Sequence, residues 1–168
     1  MSLEIKKSKI PGAGKGLFTT KLIKRGERVI EYTGEVITWK ECQERNEKKD
    51  GFGAYYFYIS DKKCIDAEHV LDSLARYAND AAGFVRIPGV RNNCRYEVIK
   101  NRAYIIASRN LNPGDEIFVA YGKEYWDALR QNGIGPDTKK KKAVKKKKEQ
   151  KIVDETHAVA KRIETHHA

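Results

Sequence analysis

The chain has 168 residues, which is enough for one domain with a sizeable core and too few for two domains of ordinary size. Its 34 Lys and Arg residues outnumber its 23 Asp and Glu residues, but 11 basic and only 4 acidic residues lie from Lys139 onwards, so the excess charge is concentrated there. The sequence contains neither an apolar run of the ~20 residues that a membrane-spanning helix needs nor a secretory signal. We therefore expect an intracellular protein with no membrane partner.

Most of residues 1–136 follow the pattern of short β-strands separated by turn residues. Aromatic and β-branched residues, which favour strands, are densest at Ala54–Ser60, and residues 93–109 are typical of a hairpin that turns at 100–102. The predicted strands are Leu3–Lys7, Gly16–Thr20, Arg28–Ile37, Ala54–Ser60, Lys63–Asp66, Cys94–Ile99, Ala103–Ser108 and Glu116–Ala120. Strands this short and irregular favour several small sheets over a sandwich or a parallel sheet.

Helices are predicted at only three places. Thr38 and Glu41 have the spacing of a capping box, which predicts a helix over about 38–48. Helical turns also fit His69–Tyr77 and Glu124–Gln131, whereas the Gly- and Pro-containing stretch 81–91 is typical of a loop. The predicted fold class is therefore mostly β with a few short helices.

The composition changes abruptly after Pro136. Eight of the ten residues 139–148 are lysines, which repel one another and bury no apolar surface. We therefore expect a folded domain over 1–136 and a disordered, lysine-rich tail over 137–168. A lysine run without interleaved aromatic residues predicts non-specific, salt-sensitive contact with nucleic acid, although a localisation signal or a solubilising tail explains it equally well.

The cysteines and the glycine-rich stretch near the N-terminus do not match the patterns of a zinc site or a phosphate-binding loop. Cys42, Cys64 and Cys94 are odd in number and contain no C-x-x-C pair, which excludes a disulfide scaffold and does not favour a zinc site. We expect reduced thiols in the core and no bound metal. The glycine-rich stretch near the N-terminus has Lys9 and Gly16 where a phosphate-binding loop needs Gly and Ser or Thr, so we do not predict a nucleotide-phosphate site.

Five short elements nevertheless follow one another in a distinctive order. They are GKGLF (14–18), EYTGE (31–35), RYAND (76–80), NCRY (93–96) and PGDEIFVAYG (113–122). Singly they are ordinary turn and core sequences, but the series resembles the SET-domain family of protein lysine methyltransferases over roughly residues 3–130. The resemblance implies several small sheets with a knot-like crossing of the C-terminal segment, a topology that composition alone never predicts. It also implies methyl transfer from S-adenosylmethionine to a protein lysine, with a histone as a candidate substrate and a nuclear, nucleoid or otherwise cytoplasmic location.

The resemblance implies a cofactor site made of the family's glycine motif, an asparagine motif and an aromatic residue after the domain. At the matching positions stand Gly14, Lys15, Gly16, Asn79, Asp80, Tyr121 and Trp126. Asp80 departs from the family's histidine, and an ionised carboxylate only accepts hydrogen bonds, so a bond that the histidine donates would be lost. Trp126 is equally well explained by a helix face that packs on the core.

The resemblance also implies a lysine channel lined by Tyr32, Tyr96 and Tyr121, of which Tyr32 and Tyr121 are the expected catalytic residues. Tyr96 matches a position that influences how many methyl groups are added, and a tyrosine there favours monomethylation. A lysine ammonium with a pKa near 10.4 contains only ~0.1% neutral amine at about pH 7.4, so a channel that desolvates it and lowers its pKa suits the chemistry. Loss of the proton to water and transfer to Tyr121 both remain open.

Two further departures keep an alternative function in view. Asn79 and Asn93 are 14 positions apart, which is wider than in the family's motif and indicates an insertion within residues 81–91. The cysteine-rich segment that follows many SET domains is also missing. The alternative is a catalytically weak SET-like binding module with a basic tail that contacts nucleic acid or chromatin.

Overall fold

The structure, a computed structural model, describes residues 2–48 and 55–131. This part of the chain forms eight short strands, two α-helices and one 3-10 helix. The strands are β1 (Leu3–Lys7), β2 (Lys15–Thr19), β3 (Arg28–Glu31), β4 (Glu35–Ile37), β5 (Tyr56–Ser60), β6 (Lys63–Asp66), β7 (Cys94–Ile99) and β8 (Arg102–Ala107). The helices are α1 (Trp39–Glu47), the 3-10 helix Leu74–Tyr77 and α2 (Lys123–Gln131). The prediction of a mostly β fold with few short helices is confirmed.

The strands pair into three small antiparallel sheets. β1 pairs with β2, the second sheet has the order β3-β8-β7, and the third has the order β4-β6-β5. The predicted hairpin is the β7–β8 pair, in which Lys100 and Asn101 both have positive φ angles (48° and 61°). Such a two-residue turn matches the twist of the flanking strands, so Arg102 is already paired with Ile99.

The predicted capping residue starts helix α1. The Thr38 side chain accepts a hydrogen bond from the Glu41 backbone N–H (3.2 Å), which satisfies one of the free donors of the first turn. The Glu41 carboxylate contacts Arg45 instead of turning back to the cap. Arg45 also pairs with Glu35 (2.7 Å) and the buried Asp66 (3.0 Å), which ties α1 to the third sheet.

Three of the predicted elements differ from the structure by more than one residue at an end. The single predicted strand Arg28–Ile37 is wrong, because residues 32–34 leave β3 and lead into β4, which belongs to a different sheet. The predicted helical turn His69–Tyr77 is helical only at Leu74–Tyr77. β5 begins at Tyr56, and Ala54 lies outside the described residues.

The predicted strand Glu116–Ala120 is also wrong. Its backbone bonds in turn to three separate segments, so no ladder of successive pairs develops. The bonds run from Ile117 N–H to Leu17 O (2.8 Å), from Val119 N–H to Asn79 O (2.9 Å) and from Cys94 N–H to Phe118 O (2.9 Å). The C-terminal segment thus lies between the loop that starts at Asn79 and the start of β7, as the knot-like crossing requires.

Asn93 holds this crossing on one side. Its side-chain N–H donates to Glu116 O (2.7 Å), and its side-chain oxygen accepts from the Phe118 N–H (2.8 Å). The side-chain amide of Asn93 therefore bonds to the backbone of residues 116–118 as a neighbouring strand would. Asn93 is 3% exposed, so these bonds are made away from water.

Apolar residues from several strands and loops form one hydrophobic core, and tyrosines including Tyr96 and Tyr121 pack against it. Its largest fully buried apolar side chains are Leu17, Ile105, Leu111, Ile117 and Val119. The chain divides into two compact units, residues 1–126 and residues 127–168. Of the second unit the structure describes only residues 127–131, which are the end of α2. The predicted domain limit at residue 136 and the tail 137–168 lie outside the described residues. In the described ranges, none of the helices has the length and hydropathy to cross a membrane.

Candidate active site

Two cavities meet at Tyr121. The first, called here the aromatic cavity, has a volume of about 360 Å³ and is lined by Tyr32, Trp39, Tyr56, Phe57, Tyr58, Arg76, Ala78, Tyr96, Tyr121, Glu124 and Tyr125. The second, the glycine-loop cavity, has a volume of about 460 Å³ and is lined by Ala13, Gly14, Lys15, Tyr55, Arg76, Tyr77, Asn79, Tyr121, Tyr125 and Trp126. Tyr121, Tyr125 and Arg76 belong to both walls, so a ligand in one cavity lies next to a ligand in the other.

The aromatic cavity brings together the residues predicted for the lysine channel. Tyr32 follows β3, Tyr96 lies on β7 and Phe57 lies on β5, so the sheets converge here. The Tyr32 ring lies 5.5 Å from Phe57 and 6.1 Å from Tyr96, and the Phe57 and Tyr96 rings are 4.8 Å apart with edge-to-face geometry. Such contacts fix the rings against one another and leave an apolar wall for an alkyl chain.

Two of the hydroxyl groups that line this cavity donate their protons to backbone carbonyls. The Tyr121 hydroxyl donates to Ala78 O (2.7 Å), and the Tyr32 hydroxyl donates to Tyr55 O (3.0 Å). Burial raises the pKa of Tyr121 and of Tyr32 far above that of a free tyrosine, and burial also raises the pKa of Tyr96. These groups are therefore neutral at physiological pH, and the bonded hydroxyls retain lone pairs that can accept from a ligand N–H.

The glycine motif forms part of the second cavity. Gly14, which has a φ of 75°, and Lys15 line the cavity, and the side-chain N–H of Asn79 donates to Lys15 O (2.9 Å). Gly16 does not line the cavity. A Cβ at this position would overlap the Glu116 carboxylate, so only glycine lets the loop lie this close to the crossing.

Glu116 anchors the N-terminal side of the same loop. Its carboxylate is 1% exposed and accepts from the Ser8 hydroxyl (2.6 Å) and the Lys9 backbone N–H (2.8 Å). The Asn79 side-chain N–H lies 3.4 Å from the same carboxylate. The loop, the asparagine motif and the C-terminal segment are thus joined through one buried acid.

Trp126 stands at the wall of the glycine-loop cavity, outside the apolar core cluster. Its ring is stacked on Tyr121, with centroids 5.7 Å apart and an interplanar angle of 12°, and Tyr125 meets both rings edge-on. The indole N–H donates to Asp80 (2.8 Å). Asp80 itself does not line the cavity, and it supports residues that do.

Sequence reasoning missed Arg76, Phe57 and Tyr125. The Arg76 guanidinium lies over the Tyr55 ring (4.1 Å), and its Nε and Nη1 atoms are buried without a hydrogen-bond partner among the described residues. Because a buried N–H without a partner is costly, these donors indicate a ligand acceptor. Arg76 begins the Arg-Tyr-Ala-Asn-Asp element, and Phe57 lies in the aromatic run Ala54–Ser60, so both stood within motifs already noted.

The cysteines lie apart from both cavities. Cys42, Cys64 and Cys94 are free and buried, and burial raises the pKa of Cys94 to about 12. Within residues 2–48 and 55–131, no group of three or more His, Cys, Asp and Glu side chains is arranged to hold a metal ion.

Comparison with known proteins identifies the family. A SET domain profile matches residues 14–122. The N-lysine methyltransferase KMT5A-A of Xenopus laevis is 32% identical over 128 residues, which cover 70% of this chain and 36% of that protein. The histone-lysine N-methyltransferase ASHH1 of Arabidopsis thaliana is 32% identical over 129 residues, which cover 73% of this chain and 24% of that protein. The chain thus spans about a third or less of the length of these relatives.

Solved structures share the fold. The structure of ctPRC2 in an autoinhibited conformation bound to S-adenosylmethionine aligns with a TM-score of 0.58 and 24% identity, over 77% of this chain and 16% of that chain. The methyltransferase domain of human PR domain-containing protein 2 aligns with a TM-score of 0.53 and 21% identity, over 72% of this chain and 77% of that chain. The three small sheets, the crossing at Asn93 and the match over 14–122 lead to one conclusion: the chain belongs to the SET-domain family.

Proposed function

We propose that the chain is a protein-lysine N-methyltransferase that uses S-adenosylmethionine. The observation that carries the proposal is the meeting of two different cavities at Tyr121. One has the aromatic walls that suit a lysine side chain, and the other has a glycine loop, an asparagine and an indole. Family membership and the names of the lysine methyltransferase relatives support the same function.

The residues of the glycine-loop cavity fit the cofactor. Arg76 offers buried N–H groups without a partner, which suit the carboxylate of the cofactor's amino-acid part. Apart from the two chain neighbours of Gly14, no atom of the described residues lies within 4 Å of the position that a Cβ of Gly14 would occupy, so a ligand can approach the backbone there. The flat face of the Trp126 indole suits an adenine ring. We assign the cofactor to Gly14, Lys15, Arg76, Asn79, Tyr121 and Trp126, with Gly16 and Asp80 as supports. When bound, the cofactor supplies an electrophilic methyl group on a cationic sulfur.

The aromatic cavity prepares the lysine for attack. Tyr32, Phe57 and Tyr96 replace the water around the substrate side chain with ring faces and edges, which lowers the pKa of the ammonium. They also confine the alkyl chain, so the nitrogen lone pair is directed toward Tyr121, where the two cavities meet. The Tyr96 hydroxyl leaves less room for a methylated amine than a phenylalanine would, and this crowding is the basis for proposing monomethylation as the main product.

Tyr121 and Tyr32 orient the amine without taking its proton. Their raised pKa values keep both hydroxyls neutral, and both protons are committed to backbone carbonyls. A neutral phenol is a very weak base, so we assign the loss of the lysine proton to water before transfer. The hydroxyl oxygens then accept the remaining N–H groups of the amine and fix its direction.

The proposed substrate is a lysine in a basic protein segment, with histone tails as the first candidates and a nuclear or nucleoid location. The lysine run 139–148 lies outside the described residues, and its composition favours an additional, non-specific contact with nucleic acid. Deletion of 139–168 should reduce retention on DNA at low salt and leave methyl transfer to a short peptide intact. Equal retention by both proteins at every salt concentration would refute the nucleic-acid contact.

Incubation with methyl-labelled S-adenosylmethionine, mixed histones and a lysine peptide array tests the function. We expect labelled lysine in at least one substrate, located by mass spectrometry, with the enzyme resolved from the substrates because it carries many lysines itself. Peptide binding without transfer, combined with no cofactor binding by calorimetry, would contradict the proposal. That result would favour the alternative, a SET-like binding module without activity.

A further inference from the structure

Asp80 is the acceptor for four N–H groups, although the side chain is only 6% exposed. Its Oδ1 accepts from the Ala82 backbone N–H and from the Asn92 side chain, both at 2.8 Å. Its Oδ2 accepts from the Tyr121 backbone N–H (2.9 Å) and from the Trp126 indole N–H (2.8 Å). Each oxygen thus serves a different part of the protein.

The two donors at Oδ1 lie at the two ends of the inserted segment, residues 81–91: Ala82 lies within it, and Asn92 directly follows it. Asn92 closes this segment at its base, because its amide also accepts from the Ala81 backbone N–H (2.8 Å). A loop of this length pays conformational entropy to be ordered, and the bonds to Asp80 hold both of its ends together. Asp80 therefore determines where the insertion begins and ends in space.

The inserted segment in turn packs against the cofactor side of the site. Gly83 lies so close to Trp126 that a Cβ there would come within 2.6 Å of the indole, and the Phe84 ring meets the indole edge-on at 5.0 Å. On its other flank, Ile87 and Val90 pack against a cluster that includes Ile10. The inserted segment thus packs against Trp126 on one side and against the start of the glycine loop on the other.

Only a carboxylate suits these four donors. A neutral histidine has one acceptor nitrogen and one N–H, so it would face three surplus donors, and an asparagine would turn its own N–H₂ group toward one pair. The departure from the family's histidine and the insertion within 81–91 are therefore two parts of one arrangement. The acid that seemed to lose a bond is the residue that accommodates the inserted segment.

We propose that Asp80 is a positioning residue that sets the Trp126 indole and the Tyr121 backbone for cofactor binding and makes this depend on the inserted segment. The inference rests on the proposed function, since it concerns the same site. It goes further in naming a coupling between Asp80, Asn92 and Trp126 that is specific to this chain. Asp80 acts through these residues and does not touch the cofactor.

The test compares Asp80→Asn with the wild type in the full chain, using S-adenosylhomocysteine as the probe. The side-chain shape is conserved, but at least one pair of donors loses its acceptor. We expect calorimetry to give a dissociation constant for the probe that is larger by at least about tenfold. A change of this size is what the loss of one charge-assisted hydrogen bond produces. We also expect the Trp126 indole N–H resonance to move upfield, identified against Trp39 by its absence in Trp126→Phe.

Two further variants separate positioning from general damage. Asp72→Asn changes an exposed carboxyl outside the site and should leave both the probe affinity and the indole resonance unchanged. Asn92→Ala should weaken the probe and shift the same resonance, and its effect should not add to that of Asp80→Asn because both break one arrangement.

The results that would overturn the positioning role of Asp80 differ from those that would count against the proposed function. An Asp80→Asn protein with wild-type probe affinity and an unmoved indole resonance would overturn the proposal, as would fully additive effects of Asp80→Asn and Asn92→Ala. If Asp80→Asn does not fold, Asn92→Ala is decisive alone, because it leaves the carboxylate in place. Failure of the wild type to bind the probe would instead count against the proposed function, which keeps the two failures distinct.

Discussion

The two sides of the site are held by different forces. On the aromatic side, Tyr32, Phe57 and Tyr96 come from strands or their ends and are held by ring packing within the sheets. On the cofactor side, the backbone is irregular and is held by buried or half-buried polar side chains that bond to it. These are Asn79, Asp80, Asn93 and Glu116, called here the polar crossing.

The difference teaches which changes each side tolerates. The stability of the packed rings comes from their buried apolar area, and the loss of a single hydroxyl leaves most of that area intact. Buried polar groups depend on their partners, so the loss of one side chain leaves backbone donors and acceptors unpaired. We therefore expect substitutions on the aromatic side to change chemistry, and those in the polar crossing to change stability or cofactor affinity.

The largest expected effect is that of Tyr121→Phe, which tests a residue that lines both cavities. Removal of the hydroxyl takes away the acceptor that orients the amine, so we expect kcat to fall by about 10²-fold or more while cofactor binding changes little. Steady-state kinetics and calorimetry measure the two quantities. Tyr104→Phe, a buried tyrosine that lines neither cavity, is the matched control, and a comparable loss there would remove the distinction.

Asn93→Ala should have the next largest effect, on stability. It leaves the Phe118 N–H and the Glu116 carbonyl buried without their partner, at a cost of at least about 2 kcal/mol in the free energy of unfolding. Urea unfolding measures the change. Asn112→Ala, at an exposed position, should cost less than about 0.5 kcal/mol. Similar losses in both variants would show that the polar crossing is not specially sensitive.

Tyr96→Phe sharpens the comparison from the aromatic side. The ring contacts with Tyr32 and Phe57 remain, but the cavity gains room at the lost hydroxyl. We expect little change in stability and a shift from monomethyl-lysine toward di- and trimethyl-lysine. Time-resolved mass spectrometry of a methylated peptide follows the products. Early trimethyl-lysine with the wild-type protein would contradict the assignment of Tyr96.

The smallest effect is expected from pH. Burial raises the pKa of Cys94 from 9.0 to about 12, and burial followed by the charge of Asp66 raises that of Tyr56 from 10.0 to about 12. Since the unfolded chain releases these protons first, stability should be level up to about pH 9 and should fall as the pH rises further. Urea unfolding at about pH 8 and pH 10.5 measures this. Cys94→Ala should flatten the early part of the decline, and an unchanged decline would contradict this cause.

Local patterns predicted the parts of the fold that local forces determine. β1, β6 and β7 have the predicted bounds, and the Thr38 cap starts α1 as expected. The order of short motifs then placed Tyr32, Tyr96 and Tyr121 in one cavity. What could not be predicted depends on partners distant in sequence: residues 116–120 bond to three separate segments, and Arg76 has buried donors that only the folded chain reveals.

Asp80 illustrates the same limit. Judged alone, an acid in place of a histidine indicated a lost hydrogen bond. Its four donors come from positions 82, 92, 121 and 126, so its role depends on where the insertion and the last helix lie in the folded chain. Motif matching identified the position, and the geometry supplied the reason for the residue.

A crystal structure with S-adenosylhomocysteine and a methylatable lysine peptide would test the central claim most directly. The account predicts the cofactor product in the glycine-loop cavity against Gly14 and Trp126, and the lysine side chain in the aromatic cavity, with its nitrogen ending beside the Tyr121 hydroxyl. A structure in which both ligands share one cavity, or in which protein atoms separate the lysine nitrogen from the cofactor sulfur, would contradict it.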